Sequence, residues 1–202
     1  MNLAPERNSL ALLVASVLLL SACGGGGGSS GGDTNTKSSD TASDSGNVPV
    51  ETVVVPPEDA CALADFAATM LAAVNAARGT ARSCGGAWYP AAPALAWNAK
   101  LAQAAAAHSH DMAGNNFLSH TGSNGSTVVS RVDATGYTAN AWGENISGGP
   151  ASVDAVMAGW LASAGHCANI MNAAFRDFGA ACARNDSAAY QRYWTQTFAA
   201  PR

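Results

Sequence analysis

The chain of 202 residues is poor in charge, with 12% Asp, Glu, Lys and Arg, and poorer still in glutamate where a fold is expected. After Glu58 a single glutamate remains, Glu144. From Cys61 onward no H-E-x-x-H, G-x-S-x-G or C-x-x-C occurs, which removes from the domain the usual local signatures of zinc proteases, serine hydrolases and cysteine-based zinc sites. No internal repeat or heptad run is present, and the apolar run Leu10–Leu20 is too short for a spanning helix of about 20 residues. From Cys61 onward eight Lys and Arg face seven Asp and Glu, and so neutral a domain argues against nucleic acid as a partner.

What is present at the start is an export signal. Arg7, the apolar run and small residues before Cys23 make residues 1–22 a secretory signal peptide. Leu20-Ser21-Ala22-Cys23 resembles the bacterial lipobox, which implies lipidation of Cys23 and a membrane anchor rather than a span. Residues 23–58 are rich in Gly, Ser, Thr, Asp and Pro, with too little apolar surface to offset ordering, and read as a disordered tether. The protein is therefore expected to be exported and anchored to a bacterial membrane or cell surface. Gly24 after the lipidated cysteine favours the outer membrane in a two-membrane cell. One folded domain, residues 59–202, remains.

With Cys23 assigned to lipid, Cys61, Cys84, Cys167 and Cys182 are left, an even number in an oxidising compartment. Three pairings are open; the two local loops, Cys61 with Cys84 and Cys167 with Cys182, are the expected ones. Leu63, Phe66, Ala67, Met70, Leu71 and Val74 keep a helical stripe that Gly79 ends. Asn98 is placed to cap a second helix to about Ala113, with His108 on its buried stripe and His110 on the solvated face. His120 lies in a loop of Asn, Gly and Ser, where functional residues concentrate. Ser126 is expected to cap a short helix ending at Gly136. At Trp142-Gly143-Glu144-Asn145-Ile146 the glycine is expected to turn the backbone and aim Glu144. Ser152 opens a helix stopped by Gly165, directly before His166. Phe178–Arg184 and Tyr190–Phe198 read as an antiparallel hairpin.

These segments, in order from Val74-Asn75-Ala76-Ala77-Arg78 through Leu95-Ala96-Trp97-Asn98, Asp111-Met112-Ala113, Ser119-His120 and Gly143-Glu144-Asn145-Ile146 to Gly165-His166-Cys167-Ala168-Asn169-Ile170-Met171 and Tyr193-Trp194-Thr195-Gln196, resemble the bacterial branch of the CAP (SCP/TAPS) superfamily. The resemblance covers nearly all of residues 66 to 199. It implies an α+β fold, a three-layer α-β-α sandwich with a central antiparallel sheet and a shallow cleft. In eukaryotic members two histidines and two glutamates line that cleft, often with a divalent metal. His120 and Glu144 match the first of each; the second glutamate is missing, and Tyr193 stands where the second histidine belongs. His166 offers a replacement imidazole.

Three uses of His120, Glu144 and His166 stay open: ligands for a divalent metal such as zinc, an imidazole oriented by Glu144 for acid/base work, or a hydrogen-bonded knot closing the sandwich. Trp142, Asn145, Tyr193 and Trp194 are the expected cleft lining. Two functions follow. The first is a monomeric envelope binding module for lipid or sterol, glycan or a protein partner; the second is a metal-assisted, peptidase-like hydrolase using the three site residues.

Overall fold

The helical stripes and the alternating strands assemble as two helical layers around one sheet. The computed structural model describes residues 53–202; the signal peptide, Cys23 and most of the tether lie outside the described residues. Val53 and Val55 pack against the core, and a short 3-10 turn, Pro57–Asp59, leads into the domain. The elements run α1 Phe66–Arg78, β1 Arg82–Cys84, β2 Ala87–Tyr89, β3 Ala96–Trp97, α2 Ala99–Asn115, α3 Val128–Ala134, β4 Ala139–Gly148, α4 Val153–Ala162, α5 Ala164–Met171, β5 Asp177–Arg184 and β6 Arg192–Pro201.

Four strands form the central sheet in the order β3-β5-β6-β4. β4, β6 and β5 are antiparallel, and the two-residue β3 joins the far edge in parallel. Helices α2 and α3 cover one face, and α1, α4 and α5 the other. That double cover explains why β5 and β6 are buried along almost their whole length, a pattern unlike that of a half-solvated strand. Phe178, Trp194 and Phe198 point to the α1/α4/α5 side with Phe66, Met70 and Trp160, while Tyr193 and Ala199 point to the α2/α3 side. At Gly179 the α2 backbone comes so near that a Cβ would stand 2.1 Å from the amide nitrogen of Ala102, so only glycine lets helix and strand meet there.

Local capping follows the expectation in two helices and shifts in two. The Asn98 side chain accepts from the Lys100 and Leu101 amides, and Ser152 Oγ accepts from Ala155 N. Thr127, not Ser126, caps α3 through a reciprocal box with Ser130. The helix opened by Ser152 breaks at Ser163, whose backbone is extended, so His166 sits in the first turn of α5 rather than after a helix stop.

The cysteine pairing differs from the expected local loops. Cys61 bonds Cys182 and Cys84 bonds Cys167, with Cα atoms 5.1 and 5.5 Å apart. The reason is tertiary. Ala60 bridges Cys182 in parallel and Cys61 N donates to Cys182 O at 2.8 Å, laying the start of the domain beside β5. The β1–β2 hairpin packs on α5, which brings Cys84 to Cys167. Closing 121 and 83 residues, each bridge constrains the unfolded chain more than a local loop would.

Candidate functional site

The stretch expected to turn at Gly143 is instead the middle of β4. Gly143 is required by close packing, since a Cβ there would meet the Phe175 ring at 2.9 Å. Strand alternation then sorts the neighbours. Gly143 and Asn145 face α5, whereas Trp142, Glu144 and Ile146 face the α2/α3 layer. Because β4 is an edge strand, its outward carbonyls need partners. Asn169 Nδ2 donates to Glu144 O at 3.0 Å and Trp160 Nε1 to Ile146 O at 3.0 Å, so the strand carrying Glu144 is fixed from α4 and α5.

The loop that carries His120 is held from below. Asp111 accepts from Ser123 N at 2.8 Å, from the Ser123 hydroxyl and from Asn115 Nδ2 at 2.9 Å. These bonds keep the Asp111 carboxyl below its ordinary range against the opposing effect of burial. Two buried side chains then take successive loop carbonyls: His108 Nε2 donates to Ser119 O at 2.9 Å, and Arg131 Nη2 donates to His120 O at 3.1 Å.

Above this frame sits Glu144. Its side chain is 4% exposed, yet both oxygens are engaged. Oε1 accepts from His120 Nδ1 at 2.8 Å, and Oε2 accepts from Arg131 Nη2 at 2.7 Å. Burial alone would raise its pKa; the His120 hydrogen bond and the Arg131 charge outweigh that and hold the carboxyl below its usual range. His108 Nε2 lies 3.9 Å from Oε1. The His108 ring is fully buried, its Nδ1 has no hydrogen-bond partner among the described residues, and burial pushes its pKa down.

The expected site residues therefore separate. His120 and Glu144 are bonded. His166 makes no ion pair or hydrogen bond with Glu144; it lies close enough to His120 for that charge, after burial, to lower its pKa. Its backbone carbonyl accepts from Asn145 Nδ2 at 3.2 Å. Of the expected cleft lining only Trp142 is exposed, at 44%. Asn145, Tyr193 and Trp194 are fully buried: Asn145 bonds Gln196 across the strands, Tyr193 Oη reaches Asn116 at 3.1 Å, and Trp194 Nε1 donates to Pro150 O. Tyr193 and Trp194 are core residues because β6 is covered on both faces, and Asn145 is buried on β4 against α5, where Asn169 Nδ2 donates to its side chain. His110, half exposed, pairs with Asp59 at 2.6 Å.

Arg131 and His108 complete a site that the sequence reading centred on His120, Glu144 and His166. A signal for Arg131 did exist. Val128, Arg131, Val132 and Thr135 fall at i, i+3, i+4 and i+7, so the arginine interrupts an apolar stripe and needs a buried anion.

The resemblance implies a divalent metal, and the donor set tests it. Among the described residues no group of three or more His, Cys, Asp or Glu is arranged to hold one. Glu144 offers its oxygens to a ring nitrogen and a guanidinium, and that buried cation stands where a metal would need negative charge. These residues do not fit a Glu144-ligated metal. What they do is lock the His120 ring: Nδ1–H is committed to Glu144, so in the neutral imidazole Nε2 presents a lone pair outward from a side chain 58% exposed.

The fold agrees with what the chain resembles. Residues 71–198 match the model of the cysteine-rich secretory protein (CAP) family, and the chain belongs to that family. It is 32% identical over 108 residues to the uncharacterized membrane protein YlbC of Bacillus subtilis, covering 52% of this chain and 28% of that protein. An extracellular protein containing a SCP domain from Bacillus anthracis is 32% identical with a TM-score of 0.47, over 54% of this chain and 34% of the other. An outer surface protein of Borrelia burgdorferi, at 18% identity and a TM-score of 0.50 over 55% and 80% of the two chains, shares the fold. This chain thus spans about a third or less of the two Bacillus relatives.

Proposed function

We propose that the protein is a binding module held at the bacterial cell envelope, and that it reads an envelope glycan with the His120 imidazole edge and the Trp142 indole. The observation that carries this reading is their placement. Trp142 and Glu144 stand two residues apart on one face of β4, about 7 Å along the strand, so an exposed tryptophan flanks an imidazole whose outward nitrogen is set by Glu144. An indole offers a flat apolar face to a sugar ring, and a fixed Nε2 accepts from a hydroxyl. Envelope location is supported by the lipobox-like Leu20-Ser21-Ala22-Cys23 and by the names of relatives described as extracellular, outer-surface or membrane proteins.

The test is calorimetric titration of the purified protein with soluble peptidoglycan fragments, beside Trp142→Ala and His120→Ala. Binding that weakens about tenfold or more in each variant, or roughly 1.4 kcal/mol, is expected. Absence of binding by the wild type, or affinity unchanged in both variants, contradicts the reading. Release of cleaved fragments during the titration would replace it with a hydrolase.

A further inference from the structure

We propose that Arg131 is the resident cation of the Glu144 site, a positioning residue that organises His120 in place of a divalent metal. The guanidinium does this through both ends of one loop residue. Nη2 donates to the His120 carbonyl at 3.1 Å and to Glu144 Oε2 at 2.7 Å, while Glu144 Oε1 accepts from the His120 ring at 2.8 Å. Backbone and side chain of His120 are thus tied to the same fork. Nη1 extends the hold to Ser126 O at 3.0 Å and to its hydroxyl at 3.3 Å, at the start of α3.

The arrangement leaves a metal no uncompensated charge at Glu144. Glu144 supplies one negative charge and Arg131, 7% exposed, already balances it. His108 adds no free ligand on this side: a carbonyl can only accept, so the Nε2 bonded to Ser119 O carries the proton, and that same atom lies 3.9 Å from Oε1. Two side chains, His120 and Arg131, therefore donate to the carboxylate, and the nearby His108 nitrogen offers it no lone pair to share with a metal. Arg131 cannot swing away cheaply, because Val128 and Val132 on the same stripe pack into the cluster with Leu101 and Tyr137 and fix the helix that carries it. Carboxylates behind a metal-bound imidazole normally orient the ring. Here Glu144 does so with an arginine behind it.

The proposal concerns how the site is organised and stands whether or not the ligand is a glycan. It is tested on the full chain in detergent micelles by zinc titration and by the ¹⁵N spectrum of the His120 ring. Zinc heats in wild type equal to those of Glu144→Gln are expected, with His120 in its Nδ1–H form and unmoved by a chelator. Arg131→Met is expected to lose that fixed tautomer signature and to gain at least tenfold in zinc affinity, and Arg131→Lys to restore the signature in part. Zinc binding by wild type that Glu144→Gln abolishes overturns the proposal. So does a His120 spectrum that shifts on chelation, or one the same in Arg131→Met as in wild type. Should Arg131→Met not fold, the wild-type, Glu144→Gln and Arg131→Lys comparisons decide alone.

Discussion

Removing the charge of Glu144 while keeping its shape isolates the pair at the centre of the site. Glu144→Gln leaves Arg131 buried without its anion, and breaking one side of a buried pair costs about 3 to 5 kcal/mol. Arg131 keeps the carbonyls of His120 and Ser126 as acceptors, so the lower end, about 3 kcal/mol, is expected. At roughly 2 to 4 °C per kcal/mol for a domain of this size, the melting point falls by about 6 to 12 °C. Arg131→Met removes the partner charge and orphans the carboxylate instead. In the double variant neither charge is stranded, so the two losses overlap by about 2 kcal/mol. Urea unfolding of wild type, both single variants and the double variant, with slopes unchanged, measures that coupling. Strictly additive losses would refute the pairing, as would a Glu144→Gln protein as stable as wild type.

Other expectations rest on separate parts of the fold. Arg78 is fully buried with no carboxylate partner among the described residues; it donates to Pro93 O, Ile170 O and Asn172 O, and burial pushes its pKa down to about 10. Arg78→Met strands those carbonyls and is expected to lower stability by about 3 kcal/mol in denaturant, a loss that Arg78→Lys recovers only in part. Stability should also fall with acid. Burial lowers the His108 pKa, so below about pH 6.5 the unfolded chain takes up a proton that the fold refuses, with a slope of at most about 1.4 kcal/mol per pH unit. The lowered pKa of Glu144 adds a second loss below about pH 4.5. Melting curves from pH 8 to 4 should show the upper decline, and His108→Gln should flatten it; a midpoint that rises as pH falls contradicts the assignment. Peptide mapping without reduction should recover Cys61 linked to Cys182 and Cys84 to Cys167, and removing either bridge should cost about 2 to 5 kcal/mol.

The sequence exposed what repeats locally. Stripes at helical spacing located α1, α2 and α4, Asn98 and Ser152 marked two caps, and aromatic- and Thr-rich segments on either side of Asn185-Asp186-Ser187 marked β5 and β6. It exposed less where long-range packing decides. Gly143 looks like a turn glycine in isolation, but Phe175, far along the chain, makes it a strand residue without room for a Cβ. The cysteine partners were hidden for the same reason, because nothing near Cys61 announces that it starts a bridge to β5. Tyr193 and Trp194 look like surface aromatics until both sheet faces are seen to be covered. At the site, His120 and Glu144 were legible as rare residues in a loop and a polar stretch. Arg131 showed only as a break in an apolar stripe; its role depends on a carboxylate that the fold alone brings within 2.7 Å.

The most direct measurement is to map ligand contact on the folded protein: add soluble peptidoglycan fragments to ¹⁵N-labelled chain and follow the backbone and ring signals. Shifts should concentrate on the Trp142 indole N–H, the His120 ring and the amides of Gly143 and Glu144, and vanish in Trp142→Ala. Shifts centred elsewhere, or none at saturating fragment, would contradict the account of this face as the binding site.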